Sequence, residues 1–173
     1  PPLDPNFGLI KRIDFQVRAD GWLLDDLLLT LKDDSEERRC AFSIKSSPQF
    51  SKTLAPSEFV RDAWGQYLGE SSPVFKKGTD RIGLITSPLD TDTKNKLEDL
   101  LNKARTQDPQ DLFRRTQVEG YISKEERSIF ESFACPQELA EKYSINENNI
   151  SELLRCIEHL QFDFEHTSSA KLN

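Results

Sequence analysis

The sequence predicts an α/β domain: a mixed sheet flanked by helices, with a helical C-terminal extension. Three observations carry this. Two short apolar runs, residues 22–31 and 40–47, flank the charged turn 32–39 and read as a β-hairpin. A helix, a short apolar strand and a second helix follow between residues 56 and 106. From residue 120 the spacing of apolar residues turns almost wholly helical.

Taken in order, residues 1–8 hold three prolines and Asn6-Phe7-Gly8, and read as a tail. The alternation Ile13, Phe15, Val17 fits a strand, and a helix is the other reading of residues 9–20. Trp22 to Leu31 is a near-continuous apolar run that contains Asp25 and Asp26. With Cys40-Ala41-Phe42-Ser43-Ile44-Lys45 it forms a hairpin expected in the middle of a covered sheet. Ala55-Pro56-Ser57-Glu58 opens a helix whose Phe59, Ala63, Trp64 and Leu68 fall at helical spacing and which Gly69 ends.

After a polar loop over 70–80, Arg81 to Ser87 reads as a buried strand. Asp90 to Thr93 caps a second helix, with Leu97, Leu100, Leu101 and Ala104 on one face, and a shorter amphipathic stretch lies near 110–118. Ser123 and Glu126 have the spacing of a capping box, and Gln137–Tyr143 reads as a short helix. A last helix starts at Asn146 and carries Ile150, Leu153, Leu154, Ile157 and Leu160 on its apolar face. An alternating edge strand over 160–166 and a polar linker, 167–173, complete the chain. The division is thus a tail (1–8), an α/β core (9–118), a helical extension ending in a short strand (119–166) and a linker (167–173).

Composition excludes several classes. The 173 residues carry 23 basic and 30 acidic side chains, a net charge of −7, with 36% hydrophobic residues. No apolar run approaches the 18–20 or so residues of a membrane span, so a soluble, cytoplasmic protein is expected. The start lacks methionine and a signal-peptide pattern, and reads as a piece of a longer chain. Cys40, Cys135 and Cys156 make no metal-type spacing and read as free thiols in a reducing compartment. His159 and His166 have no nucleophile near them in sequence.

Only residues 41–81 are net positive, at +2, while 120–173 are at −5. Any contact with nucleic acid is therefore expected from the former, through Lys52, Lys76, Lys77 and Arg81. Trp64 and Tyr67 could stack on bases, but helix aromatics more often build a core. A helix-turn-helix reading of 120–160 conflicts with its negative charge.

One constellation points to chemistry. Asp25 and Asp26 sit in an apolar run, where a carboxylate is costly without partners. Ser43 and Lys45 lie two residues apart on the next strand and so share a face. A carboxylate, a lysine and an exposed backbone carbonyl suit Mg2+ or Mn2+ and the attack of water on a phosphodiester.

At these residues the sequence resembles the PD-(D/E)XK, or restriction-endonuclease-like, nuclease superfamily. In that family's pattern an Asp on one strand precedes (Asp/Glu)-x-Lys on the next, followed by a helix and a further strand. Here Asp26 is followed by Ser43-Ile44-Lys45, the helix of 56–68 and the strand of 81–87. The resemblance covers about residues 9–105. It implies Asp26 (or Asp25) as metal ligand, the Ile44 carbonyl in the same shell, and Lys45 as the residue that orients water and steadies charge. Ser43 takes the place of the pattern's acid, so a working site needs another oxygen ligand.

The stretch from Leu153 to Glu165 is similar to the segment that joins effector to ATPase in bacterial STAND-type NTPases, many of them antiphage defence proteins. Together the resemblances imply a Mg2+-dependent endonuclease effector acting on double-stranded DNA, tethered to NTPase and sensor domains and oligomeric when active. The alternatives are a non-catalytic DNA-binding or oligomerisation module of the same fold, and an unrelated α/β interaction domain.

Overall fold

The computed structural model describes residues 9–32, 36–46, 48, 50, 57–70 and 75–163. Lys52, the tail 1–8, Ala55-Pro56 and residues 164–173 lie outside them. Five strands form one mixed sheet in chain order: β1 (Leu9–Phe15), β2 (Leu27–Lys32), β3 (Glu37–Lys45), β4 (Arg81–Thr86) and β5 (Ile157–Gln161). The first three pair antiparallel, and β3–β4 and β4–β5 are parallel.

Among the described residues, six α-helices follow from the sequence in the same way. They are α1 (Ser57–Leu68), α2 (Thr91–Thr106), α3 (Pro109–Thr116), α4 (Lys124–Ser132), α5 (Gln137–Tyr143) and α6 (Ile150–Arg155). Asp90 caps α2 by accepting from the Thr93 amide, and Asp108 caps α3. Ser123 and Glu126 form the reciprocal capping box at the start of α4. Gly69, at φ 84°, ends α1 in the left-handed conformation.

The sheet has two unlike faces. Leu28, Ala41, Ile82, Leu84 and Ile157 point into a large core shared with all six α-helices. At its centre Trp64 is fully buried, and its indole N–H donates to the Phe133 carbonyl at 2.8 Å. The opposite face holds Leu29, Leu31, Cys40, Phe42 and Ile85, with Leu27 and Leu160 packed beside them, and no described helix contributes to it. Phe42 lies over Gly83, where an added Cβ would meet the ring at 1.9 Å.

Three expectations need correction. The apolar run from Trp22 is not all strand. Gly21, at φ 88°, turns the chain, Trp22 and Leu24 enter the helical core, and β2 starts only at Leu27. Asp25 and Asp26 therefore stand just before the strand rather than in it. The last helix ends at Arg155, so Ile157 and Leu160 belong to β5, whose two faces separate them. The C-terminal strand is thus the fifth strand of the main sheet, and the helices after residue 119 share the one large core.

Candidate active site

The site is built where β2 begins and β3 ends. The β2–β3 register runs from Lys32↔Glu37 to Leu27↔Phe42. One further step brings Asp26 beside Ser43. Its Oδ2 accepts from the Ile44 amide at 2.7 Å and from the Ser43 hydroxyl at 3.2 Å. The approach is held from behind by the Val17 amide, which donates to the Asp25 carbonyl at 2.9 Å.

Ser43 and Lys45 share the helix-covered face of β3, two residues or about 7 Å apart. The Lys45 ammonium donates to Oε2 of Glu58, in the first turn of α1, at 2.8 Å. That hydrogen bond and charge hold the Glu58 carboxyl below its usual range.

A second cluster adjoins the first. Asp25 turns away from Asp26's partners and accepts from Arg18 Nε at 2.9 Å. Arg18 also donates to Asp62 at 3.3 Å and to the Leu23 carbonyl at 3.1 Å. Asp62 lies one helical turn after Glu58, on the same side of α1. Burial raises its carboxyl pKa; the charges of Glu58 and Asp25 add to the rise and Arg18 opposes it. Arg18, Glu58, Arg61 and Asp62 line an open groove of about 460 Å3.

The structure thus brings Asp26, Ser43, the Ile44 backbone and Lys45 together, with Asp25 alongside. It does not bring Lys76, Lys77 or Arg81 to them. Arg81 pairs in register with Cys40, and Thr86 with Lys45, so Arg81 stands five residues, about 16 Å, from Lys45 along the sheet. Lys76 gives its amide to Asp80, Lys77 lies over the Tyr67 ring at 4.0 Å, and Arg81 pairs with Glu158 at 3.6 Å. Trp64 and Tyr67 are core residues, the latter bonded through its hydroxyl to Glu152 at 2.9 Å, which leaves neither ring to stack on a base.

Glu58, Asp62 and Arg18 were not legible as site residues. Glu58 reads only as a helix-starting acid, and tertiary packing alone carries it to Lys45.

The donors present are carboxylate, hydroxyl and backbone oxygens, the hard ligands that Mg2+ prefers. Among the described residues no three His, Cys, Asp or Glu side chains are grouped to hold a metal ion. Mg2+ is ordinarily held by one or two carboxylates, with water and substrate phosphate completing its shell, and the carboxylates at this end of β3 include Asp26, bonded to Ser43 and Ile44, and Glu58, bonded to Lys45. Among the described residues, no helix is long and apolar enough to cross a membrane. The chain matches no protein-family model, no curated protein and no solved structure.

Proposed function

We propose that this chain is a restriction-endonuclease-like effector that hydrolyses DNA with Mg2+ or Mn2+, within a larger cytoplasmic antiphage defence protein. The observation that carries the reading is the approach of three elements at one end of the sheet. Asp26 before β2, Ser43-Ile44-Lys45 on β3 and Glu58 on α1 meet through hydrogen bonds of 2.7–3.2 Å. The order hairpin, helix, parallel strand supports it as well.

In this reading Asp26 and Glu58 hold the cation, with the Ile44 carbonyl. Bound there, Mg2+ supplies a water of lowered pKa and offsets phosphate charge. Lys45 donates a hydrogen bond to the attacking water or to a phosphate oxygen, and balances the charge on the phosphoryl oxygens. The Ser43 hydroxyl and the Ile44 amide fix the Asp26 carboxylate, so little reorganisation is left to the moment of reaction. Arg18, tied to Asp25 and Asp62, places a positive charge beside the groove and can meet a neighbouring phosphate. A chain at net −7 repels DNA overall, so these local cations matter more than total charge. The segment after α6 would lead on to the NTPase and sensor domains.

One observation favours a second reading, a non-catalytic DNA-binding or oligomerisation module of the same fold. The Asp26 carboxylate is already satisfied by Ile44 and Ser43, and Glu58 by Lys45. Plasmid cleavage separates the two. Supercoiled DNA with Mg2+ or Mn2+ is expected to be nicked or linearised by the chain joined to a dimerising tag, and not by Asp26→Asn or Lys45→Ala or in EDTA. Intact plasmid after incubation with the folded, tagged parent in both metals overturns the nuclease reading.

A further inference from the structure

The strand β1 is unlike the rest of the surface. Seven large apolar side chains of the described residues are exposed, and four of them are in this one strand: Leu9 at 81%, Ile10 at 51%, Ile13 at 50% and Phe15 at 71%. It is an edge strand, with β2 on one side and no described strand on the other. Ile10, Ile13 and Phe15 pair in register with Leu31, Leu29 and Leu27, so they extend the sheet face that no described helix covers. An edge this apolar is a template for another strand, and soluble proteins ordinarily blunt such edges.

The charges on β1 select which strand. Two copies of a sheet joined edge to edge about a twofold axis keep their faces aligned only when paired residue numbers sum to an even value, because side chains alternate. Centring the pair on Arg12 sets Arg12 against Arg12, and centring it on Asp14 sets Asp14 against Asp14. Centring it on Ile13 sets each Arg12 against the Asp14 of the other copy, twice, and puts Ile13 on Ile13. Like charges directly opposite destabilise a ladder and unlike charges support it. Arg12 and Asp14 already stand on one side of the strand, joined at 2.8 Å. The register shift between Ile10 and Arg12 marks one end of the regular stretch, and the left-handed Gln16 marks the other.

We propose that two copies of this chain pair antiparallel through β1 about a twofold axis at Ile13, making one ten-stranded sheet. The Ile13 side chains of both copies then meet at the seam, each beside Leu29 of its own sheet, and Phe15 flanks them beside Leu27. A regular ladder of three residues, Arg12 to Asp14, gives a modest contact, so the pairing is concentration-dependent. It does not depend on whether the chain cuts DNA.

Sedimentation equilibrium on the 173-residue chain tests it. The parent is expected to dimerise at micromolar concentration. Arg12→Asp and Asp14→Arg each turn both cross-strand pairs repulsive, and are expected to weaken the dimer roughly thirtyfold, about 2 kcal/mol at 1.4 kcal/mol per factor of ten. An equimolar mixture of the two variants, and the double reversal R12D/D14R, restore the attraction and are expected to restore the dimer. Thermal melts matching the parent's show that the single variants are folded; Arg12 is exposed and Asp14 half-buried. A parent that stays monomeric at millimolar concentration overturns the proposal, even if its β1 amides are protected by another segment. Single reversals that dimerise like the parent, or a mixture that does not, overturn it as well.

Discussion

Removing the Asp80 carboxylate is expected to cost about 4–5 kcal/mol. Asp80 is fully buried, just ahead of β4. It accepts from the Arg39 amide and Arg39 Nε, both at 3.2 Å, from Arg39 Nη2, and from the Lys76 amide at 2.8 Å. The pair pins the start of β3 to the turn before β4, and so helps set the register that carries Lys45 to Thr86. Asp80→Ala leaves the largely buried Arg39 guanidinium without this partner, which costs about 3–5 kcal/mol by itself. Two backbone amides lose their acceptor as well, at about 1 kcal/mol each, in part overlapping with the first figure. Against a total of roughly 5–15 kcal/mol for a domain of this size, that is a large share. Urea unfolding followed by circular dichroism reads it directly. With a slope of about 2 kcal/mol per molar, the midpoint falls by about 2 M, and the melting temperature by about 10–15 °C. Removing the charge too, as Arg39→Met with Asp80→Ala, is expected to recover a large part of the loss, because a buried pair replaced by apolar groups is close to neutral. A loss below about 1 kcal/mol for Asp80→Ala refutes the reasoning.

Three further outcomes follow from other parts of the molecule. Burial, helped by the Lys94 charge, lowers the His159 pKa from 6.5 to about 4, with Nε2 at 3.1 Å from the Thr86 hydroxyl. The unfolded chain binds the proton more readily, so stability is full above pH 6.5 and falls as pH drops towards 4, by up to about 3 kcal/mol. His159→Gln is expected to flatten that part of a stability–pH curve, and an unchanged curve contradicts the assignment. Gly83→Ala drives a methyl group into the Phe42 ring, and overpacking of this kind costs about 1–3 kcal/mol; Phe42→Leu in the same chain is expected to relieve it in thermal melts. If Glu58 replaces the acid missing at Ser43, Glu58→Gln abolishes plasmid cleavage, and adding Ser43→Asp brings part of it back. Full activity in Glu58→Gln alone removes Glu58 from the site.

Much of the fold was legible because local signals and tertiary packing agree. Ser123 and Glu126, Asp90 and Gly69 each mark a helix end by chemistry that acts within a few residues. The misreadings arose where one periodicity fits two structures. Ile150, Leu153, Leu154, Ile157 and Leu160 have helical spacing, yet Ile157 and Leu160 enter different cores from opposite faces of β5. Val17 continues the alternation of β1 in sequence, but Gln16, at φ 53°, turns it into the helical core. The alternation marks β1 as a strand and says nothing of whether Ile13 and Phe15 find cover. In the site, Asp26, Ser43 and Lys45 were legible from strand order and face. Glu58 and Asp62 were not, because helix packing alone carries Glu58 to Lys45 and Asp62 to Arg18. Lys76, Lys77 and Arg81 were chosen by charge, which carries no information on the end of the sheet they occupy.

Asp26 and Glu58, on different elements, are proposed to serve one cation beside Lys45. Calorimetric titration of the chain with Mn2+ tests it most directly. One binding site is expected in the parent, lost in Asp26→Asn, weakened in Glu58→Gln and recovered in part when Ser43→Asp is added to Glu58→Gln. Absence of binding by the folded parent, or binding that both Asp26→Asn and Glu58→Gln leave unchanged, contradicts a shared cation site.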